Sequence, residues 1–162
     1  MAKPDKTNAL RILDREKIPY ETLSYPPSDE HLDGISVAAL VGEDARRVFK
    51  TLILLGEDRQ HYVCVIPSTN ELDLKAAAAL FKIKSLRMVA VSELKSLTGY
   101  VRGGCSPVGM KKSFATALDI CAQTLPYILV SGGRIGLQVK IDPKDLCAAC
   151  QARYGKICRQ GE

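Results

Sequence analysis

The sequence contains no tryptophan, six tyrosines, three phenylalanines and only two histidines. With so few aromatic residues, base stacking is not expected to be the main mode of nucleic-acid recognition, and no RNA-recognition motif or zinc knuckle is visible. Neither His31 nor His61 has a serine or cysteine nucleophile beside it in the sequence. We therefore interpret both histidines as solvated or structural, and not as general bases.

Long apolar runs are also absent. No stretch approaches the roughly 20 apolar residues that a membrane-spanning helix needs. The polar start of the chain, from Met1 to Asn8, does not resemble a secretory signal. We therefore expect a cytoplasmic protein with no membrane partner. The 162 residues are predicted to form one domain, 1–162, with enough length for an ordinary core.

The six cysteines do not indicate a disulfide framework, because the chain is long enough to be stable without one and carries no secretory signal. We expect reduced thiols. The run Cys147-Ala-Ala-Cys150, with Cys158, resembles part of a zinc site, but no fourth ligand follows at a suitable spacing. We therefore expect no metal and no cofactor.

The most informative segment runs from Gly99 to Lys112 and contains four glycines and one proline. Glycine permits positive φ and close approach of backbone N–H groups to a ligand, while proline fixes the local path. The segment is therefore predicted to be a rigid loop whose backbone lines a small pocket. Cys105 lies in this loop without a neighbouring base, so we interpret it as a packing residue and not as a nucleophile.

Positive charge is concentrated around this loop. Between Lys82 and Lys112 there are seven basic residues and one acidic residue, whereas the whole chain has a net charge of +5. Such a segment favours a polyanionic ligand that brings a small group to the pocket, although a solvated basic face is the simpler alternative.

Apolar periodicity and turn residues predict an α+β fold, because several strands are joined by hairpins instead of helices. Helices are predicted after the capping residues Thr7, Ser36, Asp73, Ser92 and Asp142. Strands are predicted at 20–25, 48–55, 61–66, 87–91, 113–118, 127–131 and 137–141.

Two polar residues interrupt apolar strands. Lys50 lies inside the run Val48-Phe-Lys-Thr-Leu-Ile, where its ammonium must either reach solvent or face a polar cavity. Ser131 ends an apolar strand beside two glycines, where it either satisfies the turn or points into the same pocket.

Four motifs occur in order along the chain: Phe-Lys-Thr-Leu at 49–52, Asn-Glu-Leu-Asp-Leu-Lys at 70–75, the glycine loop at 99–112, and Val-Ser-Gly-Gly-Arg at 130–134. Together they resemble the YbaK-type aminoacyl-tRNA deacylases, relatives of the editing domain of bacterial prolyl-tRNA synthetases. The resemblance spans about residues 18–146 and points to the cysteine-specific branch. It implies a single compact domain with a twisted, partly closed mixed β-sheet surrounded by helices.

The resemblance also implies roles for particular residues. It assigns catalysis to Lys50 and to the backbone N–H groups of Gly103 and Gly104. Substrate-binding residues would be Tyr25, Thr51, Ser131 and Gly132, and tRNA-binding residues would be Arg102, Lys111 and Lys112.

The implied function is removal of cysteine from mischarged proline tRNA, by attack of the cysteine thiol on its own ester. The implied partners are this tRNA and prolyl-tRNA synthetase in a ternary complex. Two alternatives remain open from the residues: a non-catalytic module that binds a tRNA end or a nucleotide, and a deacylase for another amino acid such as alanine.

Overall fold

The computed structural model describes residues 6–27 and 32–159 and has the predicted α+β fold. His31 lies outside the described residues. No helix in the described ranges is long and apolar enough to cross a bilayer. The helices are α1 (Asn8–Arg15), α2 (Gly34–Val41), α3 (Leu74–Phe81), α4 (Leu94–Thr98) and α5 (Pro143–Cys150). The strands are β1 (Glu21–Ser24), β2 (Phe49–Gly56), β3 (His61–Pro67), β4 (Leu86–Met88), β5 (Ala115–Asp119), β6 (Ile128–Ser131), β7 (Leu137–Ile141) and β8 (Arg153–Gly155).

The described strands form two sheets and not the single, partly closed sheet that the resemblance implied. The larger sheet has the order β4-β2-β3-β5-β8, with antiparallel pairing from β4 to β3 and parallel pairing from β3 to β8. The smaller sheet, β1-β7-β6, is antiparallel throughout. Val48, just before β2, forms a parallel bridge to Leu129 of β6, and this bridge joins the two sheets without closing them into a barrel.

One edge of β2 is only partly covered, and this gap positions the candidate site. β3 pairs with β2 from Phe49 to Leu55. On the other edge, β4 begins to pair only at Leu54, and the N–H of Val89 reaches the carbonyl of Ile53 at 3.1 Å. Among the described strands, none pairs with this edge between the Val48 bridge and Ile53. The uncovered stretch opens into a cleft.

Capping residues explain most helix boundaries. Thr7 and Asp73 cap α1 and α3 as predicted, each accepting a hydrogen bond from a backbone N–H three residues later. The predicted cap at Ser36 is wrong, because the carboxylate of Asp33 caps α2 by accepting the N–H of Ser36 itself. The predicted cap at Ser92 is also wrong, because that residue lies within a short 3₁₀ turn that precedes α4.

Apolar side chains pack on both faces of the larger sheet. The larger core combines one face of each sheet with α1 and α5, and includes Phe49 of β2 and Val130 of β6. A second core lies between the opposite face of the larger sheet and the alanine-rich helix α3. A third, smaller cluster around Val48 and Leu129 lies beneath α2. These cores fix β2 and β6 as neighbours, so that the residues that follow Val48 and Leu129 share a wall of the cleft.

Asp119, at the end of β5, anchors the C-terminal segment. It is 4% exposed, and its carboxylate accepts hydrogen bonds from the N–H groups of Cys121, Ile157 and Cys158 at 3.0–3.2 Å. Burial raises the pKa of Asp119, but these hydrogen bonds outweigh burial and hold the pKa below its usual value.

We expect Asp119→Ala to lower the free energy of unfolding at pH 7 by about 2–3 kcal/mol, because it leaves buried N–H groups unpaired. Since the folded-state pKa lies below the unfolded value of about 3.9, this stabilisation is present above that value and is lost as the pH falls through the folded pKa. Urea unfolding measured from pH 8 to pH 3 checks this. Asp145→Ala is the control; this acid lies in the first turn of α5, so its loss should lower stability by less than about 1 kcal/mol. Equal effects of the two substitutions would contradict the assignment.

Candidate functional site

The cleft at the uncovered edge of β2 has a volume of about 470 Å³. It is bounded by β2, by the adjoining ends of β6 and β7, by the start of α2, by the glycine loop and by the segment after β4. Because it surrounds a strand edge, side chains from both faces of β2 reach it. Of the residues that the resemblance implied, six line it: Tyr25, Lys50, Thr51, Arg102, Gly103 and Ser131.

One wall of the cleft is a polar row across three neighbouring strands. Ser131 of β6 lies directly opposite Gln138 of β7, so their side chains share a face. The parallel bridge between Val48 and Leu129 brings Lys50, two residues after Val48, to the same part of the cleft as Ser131, two residues after Leu129. This wall therefore presents an ammonium, a hydroxyl and an amide in sequence.

Lys50 is half-buried in this wall. The structure records no ion pair or hydrogen bond from its ammonium to any residue in 6–27 or 32–159. Beside it, Oγ1 of Thr51 is buried without a hydrogen-bond partner in the same part of the chain. A cation with three donors, facing a cleft, is suited to bind the oxygen atoms of a ligand.

The glycine loop contributes Arg102, Gly103 and Cys105 to the opposite side of the cleft. Gly103 has a φ of 84°, in the left-handed region that favours glycine. It is exposed, and its N–H donates no hydrogen bond to the residues that the structure describes. This N–H is therefore available to a carbonyl oxygen of a ligand.

The start of α1 holds two loops of the cleft in place. The hydroxyl of Thr7 donates to the carbonyl of Gly132 at 2.5 Å, and the side-chain amide of Asn8 donates to the carbonyl of Gly109 at 2.6 Å. Within the glycine loop, the hydroxyl of Tyr100 donates to the carbonyl of Val108 at 2.7 Å. These hydrogen bonds give the loop the rigidity that its glycine and proline content predicted.

Two of the glycines expected at the site, Gly104 and Gly132, do not line the cleft. The N–H of Gly104 donates to the carbonyl of Val101 at 2.9 Å, and a Cβ at this position would lie 2.9 Å from the backbone of Arg134. The N–H of Gly132 donates to the carbonyl of Leu137, whose side chain fills the space where a Cβ would be. These glycines allow close packing of loops, and their N–H groups are bonded within the protein. Their roles in catalysis and substrate binding stay predictions.

Lys111 and Lys112 end the glycine loop and are exposed, away from the cleft lining. Arg102, by contrast, is exposed at the cleft itself. The structure records no ion pair for these three residues within the described ranges. Their contact with tRNA stays a prediction.

Cys105 and His61 do not have the surroundings expected of a catalytic nucleophile and a general base. Cys105 is buried in the larger core, and burial raises the pKa of its thiol to about 11, so the thiolate is scarce at neutral pH. His61 lies outside the cleft, at the opposite end of the hairpin from Lys50, with its ring 5.7 Å from that of Phe114. All six cysteines are free thiols, and no group of three or more potential metal ligands occurs within 6–27 and 32–159.

Sequence reasoning missed three polar residues of the cleft lining, Asp33, Gln138 and Ser68. Gln138 alternates with apolar residues along β7, as Lys140 does, and this pattern is the one expected of a solvated strand face. Ser68 directly follows β3 and carried no motif. Only the pairing of β7 with β6 shows that Gln138 joins Ser131 in the cleft.

Several known proteins resemble this chain in sequence or in fold. The aminoacyl-tRNA editing domain family matches residues 32–149. The chain is 40% identical over 152 residues to an Enterococcus faecalis protein named as a candidate Cys-tRNA(Pro)/Cys-tRNA(Cys) deacylase, EbsC, which covers 94% of this chain and 93% of that protein. A solved structure of a candidate trans-editing enzyme for prolyl-tRNA synthetase is 25% identical, with a TM-score of 0.81 over 98% of this chain and 99% of that chain. The hypothetical protein APE2540 shares the fold, with a TM-score of 0.85 at 23% identity over 94% and 99% of the two chains.

Proposed function

We propose that this chain, which belongs to the aminoacyl-tRNA editing domain family and is an aminoacyl-tRNA deacylase, acts in trans to remove cysteine from mischarged proline tRNA. The name of the Enterococcus faecalis relative supports cysteine as the amino acid. The observation that carries the proposal is the pairing of two unused donors across one small cleft, the ammonium of Lys50 and the N–H of Gly103. An ester at the end of a polyanion supplies oxygens for both.

The proposed reaction uses the substrate's own thiol. The cysteine sulfur, as thiolate, attacks the carbonyl carbon of its ester, so that a carbon–sulfur bond forms and the bond from that carbon to the ribose oxygen breaks. The proton released by the thiol ends on the ribose oxygen, restoring the terminal hydroxyl of tRNA. The other product is a four-membered thiolactone, which water hydrolyses to cysteine. Such a mechanism needs no protein nucleophile or base, in keeping with the surroundings of Cys105 and His61.

The protein would then contribute orientation and electrostatic stabilisation. In this proposal Lys50 binds the phosphate or ribose of the tRNA end, and the N–H of Gly103 polarises the ester carbonyl. Ser131, Thr51 and Tyr25 position the aminoacyl group. Holding the thiol against the carbonyl can lower the barrier by roughly 7–11 kcal/mol in favourable intramolecular reactions.

Selection of the tRNA calls for a partner. A cleft of about 470 Å³ accommodates the aminoacyl end of the substrate but cannot reach the anticodon. We propose that prolyl-tRNA synthetase supplies this selection in a ternary complex with the mischarged tRNA. The name of one structural neighbour, a candidate trans-editing enzyme for prolyl-tRNA synthetase, supports this partner.

The test of this function is release of labelled amino acid from proline tRNA charged with cysteine or with alanine. We expect release of cysteine at least about 10-fold faster than release of alanine, because alanine has no thiol. Faster release of alanine would instead indicate an alanine-editing enzyme. Binding of both charged tRNAs without release of either amino acid would indicate a non-catalytic module and would contradict the proposal.

The basic residues at the loop are tested by the salt dependence of tRNA binding. We expect the double variant Lys111→Ala/Lys112→Ala to bind tRNA more weakly than the wild type. The slope of log K against log[salt] should also become shallower by about 1–2, because a protein with fewer phosphate contacts releases fewer counterions when it binds. The control is Lys144→Ala/Lys156→Ala, which removes two exposed lysines of the C-terminal part of the chain. Equal slopes for the wild type and the loop variant would exclude these lysines from the tRNA contact.

A further inference from the structure

Gln138 is the least solvated polar side chain in the wall that also contains Lys50 and Ser131. It is 5% exposed, and its Oε1 has no hydrogen-bond partner among the residues that the structure describes. Its backbone is held in register between Ser131 of β6 and Leu23 of β1, so the unsatisfied group is the side chain alone. A buried oxygen without a donor is unfavourable, and native proteins contain few of them. A donor supplied by a ligand in the cleft would satisfy this oxygen.

The cleft lining contains both unused donors and unused acceptors. Lys50 and the N–H of Gly103 can only donate, whereas Oε1 of Gln138 can only accept. Two further buried oxygens of the cleft lining, Oγ1 of Thr51 and Oγ of Ser68, also have no partner in the described part of the chain. The matching ligand therefore carries both acceptor atoms and a strong donor.

An aminoacyl-tRNA end has this arrangement. Its phosphate, ribose and ester carbonyl oxygens are the acceptors that suit Lys50 and Gly103. Its α-ammonium is the cationic donor, with three N–H groups, one carbon away from the ester carbonyl. We infer that Oε1 of Gln138 accepts a hydrogen bond from this α-ammonium, an inference that rests on the proposed function.

The order of the strands keeps the two positive charges apart. β6 lies between β2 and β7, so the backbones of Lys50 and Gln138 are two strands apart. Ser131 lies between them. An α-ammonium at Gln138 therefore does not crowd the ammonium of Lys50, which remains free for the tRNA end.

This contact would make Gln138 a specificity residue. A tRNA whose amino group is acylated, as in peptidyl-tRNA or a formylated aminoacyl-tRNA, has no ammonium to satisfy Oε1. Such substrates would leave the buried oxygen unpaired and would be rejected. The enzyme would thus not deacylate tRNAs that already carry a growing peptide chain.

The test compares two substrates with two variants. Cysteinyl-tRNA is compared with 3-mercaptopropionyl-tRNA, which keeps the ester and the thiol but lacks the amine. Gln138→Met preserves the length and unbranched shape of the side chain without the amide oxygen, and Gln138→Glu keeps an acceptor. We expect the wild type to prefer cysteinyl-tRNA by about 10–100-fold, the range for one hydrogen bond to a charged group. The preference should persist in Gln138→Glu and fall by about tenfold or more in Gln138→Met.

A binding measurement separates this inference from the proposed function. Non-hydrolysable amide analogues, 3′-cysteinylamino- and 3′-mercaptopropionylamino-adenosine, are titrated into the wild type and Gln138→Met, with thermal unfolding as the check of folding. Loss of the binding preference in the variant supports the inference even if the wild type releases no cysteine from tRNA. The same preference in the wild type and Gln138→Met, in binding and in turnover, would overturn the inference while leaving deacylation intact.

Discussion

Replacing Lys50 by alanine is expected to slow deacylation of cysteinyl-tRNA by at least about 100-fold in single-turnover assays. Removing one preorganised donor from an active site typically costs about 10²–10³ in rate, and Lys50 is the cation in the wall of this cleft. The ammonium of Lys50 has no ion pair or hydrogen bond to the described residues. Its removal therefore leaves none of these residues with an unpaired charge or an unsatisfied hydrogen-bonding group. We therefore expect the free energy of unfolding to change by less than about 1 kcal/mol.

Two further variants test whether the positive charge of Lys50 is what the enzyme uses. Lys50→Met keeps most of the side-chain volume and removes the charge, and we expect the same loss of activity as in Lys50→Ala. Lys144→Ala removes an exposed lysine near the start of α5 and should leave the rate unchanged. Near-normal turnover by Lys50→Met would show that the charge is not used and that the lysine only fills space in the strand.

Serine-charged proline tRNA is expected to be deacylated at least about 100-fold more slowly than cysteine-charged tRNA by the same enzyme. The two esters have nearly the same shape and differ in the nucleophile, since a hydroxyl forms an anion far less readily than a thiol. Cysteine release should also rise with pH and level off near the pKa of the substrate thiol. Rates are measured by quenched-flow release of labelled amino acid.

The pH profile is informative because the cysteine of the cleft does not titrate in the same range. Burial raises the pKa of Cys105 to about 11, so this thiol does not account for a rise at neutral pH. Comparable rates for the serine and cysteine esters would contradict the thiol mechanism, and a water molecule would then be the nucleophile. Capture of a thiolactone by hydroxylamine would support the mechanism independently.

Local patterns predicted much of the fold. The strand predicted at 137–141 has the observed bounds of β7, and Asp73 caps α3 as its position before an alanine-rich run indicated. Lys50 was identifiable because a single lysine inside an apolar strand is an unusual local pattern. The short β8 was not predicted, since its three residues pair only through contacts with β5 that are distant in sequence.

The cleft itself was not predictable from local patterns. Its position depends on where β4 stops pairing with β2 and on the bridge from Val48 to Leu129, which are properties of tertiary packing. The same holds for Gly104, whose N–H is used by Val101 although its sequence surroundings are nearly those of Gly103. Gln138 became visible as a site residue only through its pairing opposite Ser131.

The most direct test of the account is release of labelled amino acid from proline tRNA charged with cysteine, alanine or serine, by the wild type beside Lys50→Ala. The account predicts rapid release of cysteine alone by the wild type, and its loss in the variant. Release of cysteine that is unchanged in Lys50→Ala, or equal release of all three amino acids by the wild type, would contradict it.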